Sequence, residues 1–142
     1  MGADEIAREV FALVHVRLDE ERIAEIENME ALGDVSHLYL QRNRITKIQG
    51  LESLRSLQLL SLSSNDIMTV ENLTCLPNLK ALDLSYNLIN FVAPAELPTS
   101  IMYLTTEGNP LLQMTDDAWM AVYDVLPELR QHDCEDVYDY DT

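Results

Sequence analysis

Few residues in this chain are equipped for chemistry by type and spacing. His15 and His37 lie 22 residues apart, and two imidazoles brought together by a fold can pass a proton or offer nitrogens to a metal. A structural zinc site needs four ligands, and the next steps of the same length land on Leu59, Ala81 and Tyr103, none of them a ligand. The expectation is no metal and no cofactor. Asp116 and Asp117 are adjacent carboxylates, but ahead of Ala118, Trp119, Val122 and Leu126 they suit the first turn of a helix, where the macrodipole favours negative charge. Cys75 and Cys134 have neither zinc nor redox spacing. No Gly-rich phosphate loop, HExxH or GxSxG occurs. Catalysis needs a nucleophile, a base and an orienting group gathered in a pocket, so a non-enzymatic protein is expected.

Charge narrows the partners. Nine Lys and Arg face 25 Asp and Glu, a net charge of -16, and a phosphate backbone would repel such a chain. Direct nucleic-acid binding is not expected. No apolar run reaches the ~20 residues of a membrane span, and the first residues lack the basic and apolar regions of a signal peptide. The expectation is a soluble intracellular protein whose partners are proteins, not membranes.

What must position these residues is a repeat. The pattern LxxLxLxxN starts at Val35, Leu57, Leu79 and Ile101, each start 22 residues after the last, and sets its Asn at Asn43, Asn65, Asn87 and Asn109. A degenerate first unit at Leu13 keeps Val16 and Leu18 but has Glu21 in the Asn slot. Period-two alternation inside each unit predicts a short strand, and stacked units predict a parallel sheet with neighbours ~4.8 Å apart. Apolar residues beyond the Asn, such as Ile45, Ile48, Leu51 and Leu54, turn the return segment inward. The Asn ladder is expected to satisfy backbone groups at the strand exit that would otherwise be stranded in the core. These features predict an α/β solenoid of four to five units with capping helices at both ends, in the leucine-rich-repeat class.

The expected boundaries are an N-terminal cap over 1–14, repeats over 15–112, a C-terminal cap over 113–134 and an acidic tail over 135–142. Asp4 would cap a short lid helix carrying Ile6, Val10 and Leu13 or Val14. In the second cap, Trp119 is expected to pack on the last coil, Pro127 to stop the helix, and a strand-like segment to follow around 129–134.

The unit LxxLxLxxNxIxxIxxL, over about 13–137, resembles the short class of leucine-rich repeats typified by the nuclear regulatory subunit of protein phosphatase-1. Gly108-Asn109-Pro110, the aromatic helix, Leu126-Pro127-Glu128-Leu129 and Asp133 are similar to the cap shared by axonemal dynein light chain 1, the U2 small nuclear ribonucleoprotein A-prime protein and related ciliary proteins. His132 stands where that cap usually has an aliphatic residue and Cys134 where it usually has Gly. The stretches VRLDEERI and DLSYNLINFVAPAELPTSI look most like a short ciliary protein associated with axonemal radial spokes. The resemblance implies a structural scaffold of the cilium or flagellum with axonemal subunits as partners. A regulatory subunit on a phosphatase catalytic domain, and a protein-binding ribonucleoprotein component, are the alternatives.

In this fold, positions 3, 5, 7 and 8 of each unit leave the concave sheet face. The candidate contact surface is therefore a low-charge strip of His37, Tyr39, Leu59, Ser61, Ser63, Tyr86 and Tyr103, with Ala81 at its centre. By unit the net charge runs -7, +3, -2, -1 and -9. Arg42, Arg44, Lys47 and Arg55, all from the basic unit, form a candidate docking patch for an acidic partner. The alternative use of these cations is to balance the acidic first unit.

Overall fold

The computed structural model describes residues 2, 3 and 14–137. Strands β1 (His15–Arg17), β2 (His37–Tyr39), β3 (Leu59–Ser61), β4 (Ala81–Asp83) and β5 (Tyr103–Thr105) pair in parallel and in sequence order. His15 pairs with His37, His37 with Leu59, Leu59 with Ala81 and Ala81 with Tyr103, so the sequence interval is the sheet register. Each strand is only three residues long, because the chain turns as soon as its inward leucines are placed.

Those leucines make a single column of packing. Leu38, Leu60, Leu82 and Leu104 from the strand centres meet Leu40, Leu62 and Leu84 just beyond them, while Ile45, Ile67 and Ile89 close the coil from the return side, all buried. No coil can bury this stripe alone, and stacking does it.

The strand exits are sharp and conformationally costly. Glu20, Arg42, Ser64 and Tyr86, all at the eighth place of a unit, have φ between 55° and 58°, a left-handed conformation that costs a non-glycine residue roughly 1–2 kcal/mol. The Asn that follows each of the last three holds the bend. Asn65 accepts from Ile45 N–H at 3.0 Å through Oδ1 and donates through Nδ2 to the carbonyls of Leu40 and Leu62, both at 3.0 Å. Asn43, Asn87 and Asn109 repeat the arrangement one coil apart. Farther round, Asn28, Gly50 and Asn72 form a second left-handed column, at φ 60°, 71° and 60°. The next unit has Pro94 there, which cannot take positive φ, and the chain makes a 3₁₀ turn over Pro94–Glu96 instead.

The end of the solenoid is closed by helix α1 (Asp116–Asp124), whose Thr115 hydroxyl accepts from Ala118 N–H at 3.1 Å. Val122 is its buried residue and Leu126 and Leu129, just beyond it, are buried as well, whereas Trp119 packs on the core half-buried. Beyond it, β6 (Gln131–His132) pairs in parallel with β5, and β7 (Glu135–Asp136) turns back antiparallel on β6. This corrects the boundary expected at residue 134: residues 135–137 belong to the cap as a hairpin, with Val137 N–H donating to Arg130 O at 2.9 Å. The turn runs through Asp133 and Cys134 at φ 52° and 67°, a conformation that Gly would adopt without strain. The expected N-terminal lid helix lies largely outside the described residues, as does the chain beyond residue 137.

Candidate functional site

Positions 3 and 5 of successive strands share the outer sheet face, as the registers require. His37, Tyr39 and Leu59 lie on it half-buried, Tyr86 and Tyr103 exposed, and Ser61 nearly buried at 9%. Tyr39, Leu59, Ser61, Ala81, Asp83 and Tyr103 line a shallow depression of about 240 Å³ at the centre of the sheet. Ser63 lies just below this row, its hydroxyl 2.9 Å from that of Ser85, and with Tyr86 it borders a second hollow beside Arg42 and Asp19. Gly108 leaves room for the Tyr86 ring; a Cβ there would collide with it.

The two histidines do meet. Their rings stack with centroids 4.1 Å apart and 18° between planes. Burial, and secondarily the proximity of His15, pulls the His37 pKa below the usual histidine value, and Ser36 Oγ lies 2.7 Å from His37 Nδ1. Among the described residues no third ligand joins them, and no group of three or more His, Cys, Asp or Glu is placed to hold a metal. Burial pushes the Cys75 thiol up, which disfavours the reactive thiolate.

The basic unit is distributed round its coil. Arg42 sits at the strand exit with its guanidinium 3.0 Å from Glu20 Oε1, so it is engaged with the acidic first unit. That pair is exposed at both ends and contributes ~0–1 kcal/mol. Arg44 follows on the exit loop, Lys47 farther along the return, and Arg55 on the approach to β3, all exposed. Arg17, from the first unit, is stacked over Tyr39 with its guanidinium carbon 4.3 Å from the ring centre.

Three features escape a reading by repeat position. Asp83 is a carboxylate in the middle of the strip, its Oδ1 accepting from Ser85 N–H at 3.0 Å and from the Ser85 hydroxyl at 2.6 Å. The charge was visible in the fifth-place column, but its isolation from cations was not. A second feature is the cap, where Asp133 holds the preceding strand exit: its Oδ1 accepts from Thr106 N–H at 2.6 Å and Glu107 N–H at 3.0 Å. His132 is clamped beside it, with Thr106 Oγ1 2.9 Å from Nε2, Tyr123 Oη 2.8 Å from Nδ1 and the Trp119 ring 4.4 Å away. Thr106 is wholly buried, and this Thr, His and Asp grouping locks the cap onto the last coil. The third is an apolar edge on the exit side, with Met68 64% and Leu112 80% exposed near Leu88 and Phe91. The signal was a contrast between units, since the basic unit has Arg44, Thr46 and Lys47 at the corresponding places.

No family model matches the chain, and a search of curated protein sequences returns no match. Solved structures do resemble it. Internalin C2 from Listeria monocytogenes superposes with a TM-score of 0.69 at 25% identity, covering 83% of this chain and 50% of that one. The Drosophila melanogaster SNF/U2A′ complex gives 0.74 at 23% identity over 87% of this chain and 74% of that one. The leucine-rich-repeat domain of APL1B gives 0.69 at 16% identity, covering 93% and 42%. The chain therefore spans about half the length of the internalin it matches. Register, core column and neighbours agree that this chain folds as a solenoid of short leucine-rich repeats.

Proposed function

We propose that this protein is a non-enzymatic interaction scaffold whose concave sheet face holds a protein partner, and that it serves in a ciliary or flagellar axoneme. One observation carries the first part: the central strip exposes Tyr39, Leu59 and Tyr103 round a depression with few charges. Aromatic and aliphatic side chains held rigid by a sheet suit an interface core, where water is excluded and anchors contribute most. A solved neighbour was captured as a complex, SNF/U2A′, in keeping with a scaffold of this shape. The axonemal placement rests on sequence resemblance alone, in VRLDEERI and DLSYNLINFVAPAELPTSI.

The test is tagging in a ciliated cell followed by detergent extraction. The wild-type protein is expected to stay with the detergent-resistant axoneme, and the Tyr39→Ala, Leu59→Ser double variant to be released while keeping its fold. A wild-type protein extracted as freely as a cytosolic marker would overturn the placement. Retention of the folded double variant would overturn the assignment of the concave face.

A further inference from the structure

We infer that the depression on the concave face is a socket for one lysine or arginine side chain of the partner, with Asp83 as its counter-charge. The inference rests on the concave face being the binding surface, and deepens that reading by naming the chemistry that fits it. At about 240 Å³ the depression is smaller than the roughly 300–1,000 Å³ of ordinary ligand clefts. It is the size for a single long side chain rather than a cofactor.

Its walls are Tyr39, Leu59, Ala81 and Tyr103, and Asp83 stands among them. An apolar wall suits the methylene stem of a long basic residue, an aromatic face attracts its charged head, and a carboxylate fixes the head by a charge-assisted hydrogen bond. Both side-chain hydrogen bonds of Asp83 fall on Oδ1, from the Ser85 amide and hydroxyl, so the carboxylate is held in place without a neutralising charge. Among the described residues Arg42 pairs with Glu20 and His132 lies 3.2 Å from Asp133, and neither contact involves Asp83. Of the cations on this face, Arg17 is three strands away in the column Arg17, Tyr39, Ser61, Asp83 and is occupied by the Tyr39 ring, and Arg42, which shares the lower hollow with Asp83, is paired with Glu20. A half-buried carboxylate with an apolar surround and no cation of its own is complementary to a partner that supplies one.

Selection from a displayed random peptide library, panned on the full chain, tests this. Peptides bound by the wild type are expected to share a Lys or Arg and to lose affinity about tenfold or more on Asp83→Asn. Asn keeps the oxygen that Ser85 uses, so the thermal midpoint should stay put. Panning on Asp83→Lys should return Asp or Glu at the shared place. Binders that require Tyr39 and Leu59 but share no basic residue and ignore Asp83→Asn would overturn the socket while the concave reading stands. Binders indifferent to Tyr39, Leu59 and Asp83 together, or blocked only by Phe91→Ser on the apolar edge, would overturn both, as would a selection that yields no binder.

Discussion

Replacing Asn65 by Ala probes the device that makes the coil turn. Asn65 is 6% exposed and makes four hydrogen bonds: it accepts from Ile45 N–H and donates to the carbonyls of Leu40, Leu62 and Ser63. The losses are unequal. Leu40 O also accepts from Asn43 and Leu62 O from Asn87, so each keeps one partner. Ile45 N–H has no substitute, and an orphaned buried donor costs about 1–3 kcal/mol. Adding the two weakened bonds to the Leu40 and Leu62 carbonyls at about 0.5–1.5 kcal/mol each, the total is about 2–6 kcal/mol. That is a large part of the ~5–15 kcal/mol that holds a domain folded. With a urea slope of about 1–3 kcal/mol per molar, the midpoint should fall by on the order of 1 M or more. Asn78→Ala is the control, since its exposed side chain makes one bond, 2.8 Å to Arg55 O, and should cost under about 1 kcal/mol. Urea curves followed by circular dichroism that coincide for the two variants would refute the ladder as the support of the turn.

Leu82→Ala, in the middle of the core column, should cost about 2–5 kcal/mol in the same assay, and a loss below that of an exposed Leu112→Ala control would contradict the packing described. Burial draws the His132 pKa below the usual value of about 6.5, with Asp133 and then Glu135 opposing. The unfolded chain therefore takes up a proton that the folded cap refuses, and the stability this provides is present above about pH 6.5 and lost as pH falls toward the folded pKa. His37 acts in the same direction, so the measurement is the difference between wild type and His132→Gln, whose thermal midpoint should fall less steeply from neutral to mildly acidic pH; parallel curves would remove His132 from the cap's pH response. Reversing Arg42 and Arg44 to Glu should leave detergent-resistant retention intact, since Arg42 is engaged with Glu20, and release of that variant, increasing with salt in the wild type, would move the binding surface from the sheet to the basic unit.

A repeat is unusually legible, because one interval sets every register: His37, Leu59, Ala81 and Tyr103 could be placed side by side before any coordinate, and the strands pair that way. The Asn ladder was readable for the same reason, since an amide that both donates and accepts is the side chain suited to a turn with orphaned groups of both kinds. Composition alone could not show the backbone at Arg42, Ser64 and Tyr86, where residues with no preference for positive φ adopt it because the next Asn and the neighbouring strand hold them there. The cap broke the interval, and with it the register argument: β7 turning back on β6, and His132 clamped by Thr106 and Tyr123, depend on contacts between segments that no periodicity links. Asp83 shows the same division within the binding face. Its column was set by spacing, but its standing as an uncompensated charge depends on where Arg17 and Arg42 spend theirs, on the Tyr39 ring and on Glu20, and only the folded chain decides that.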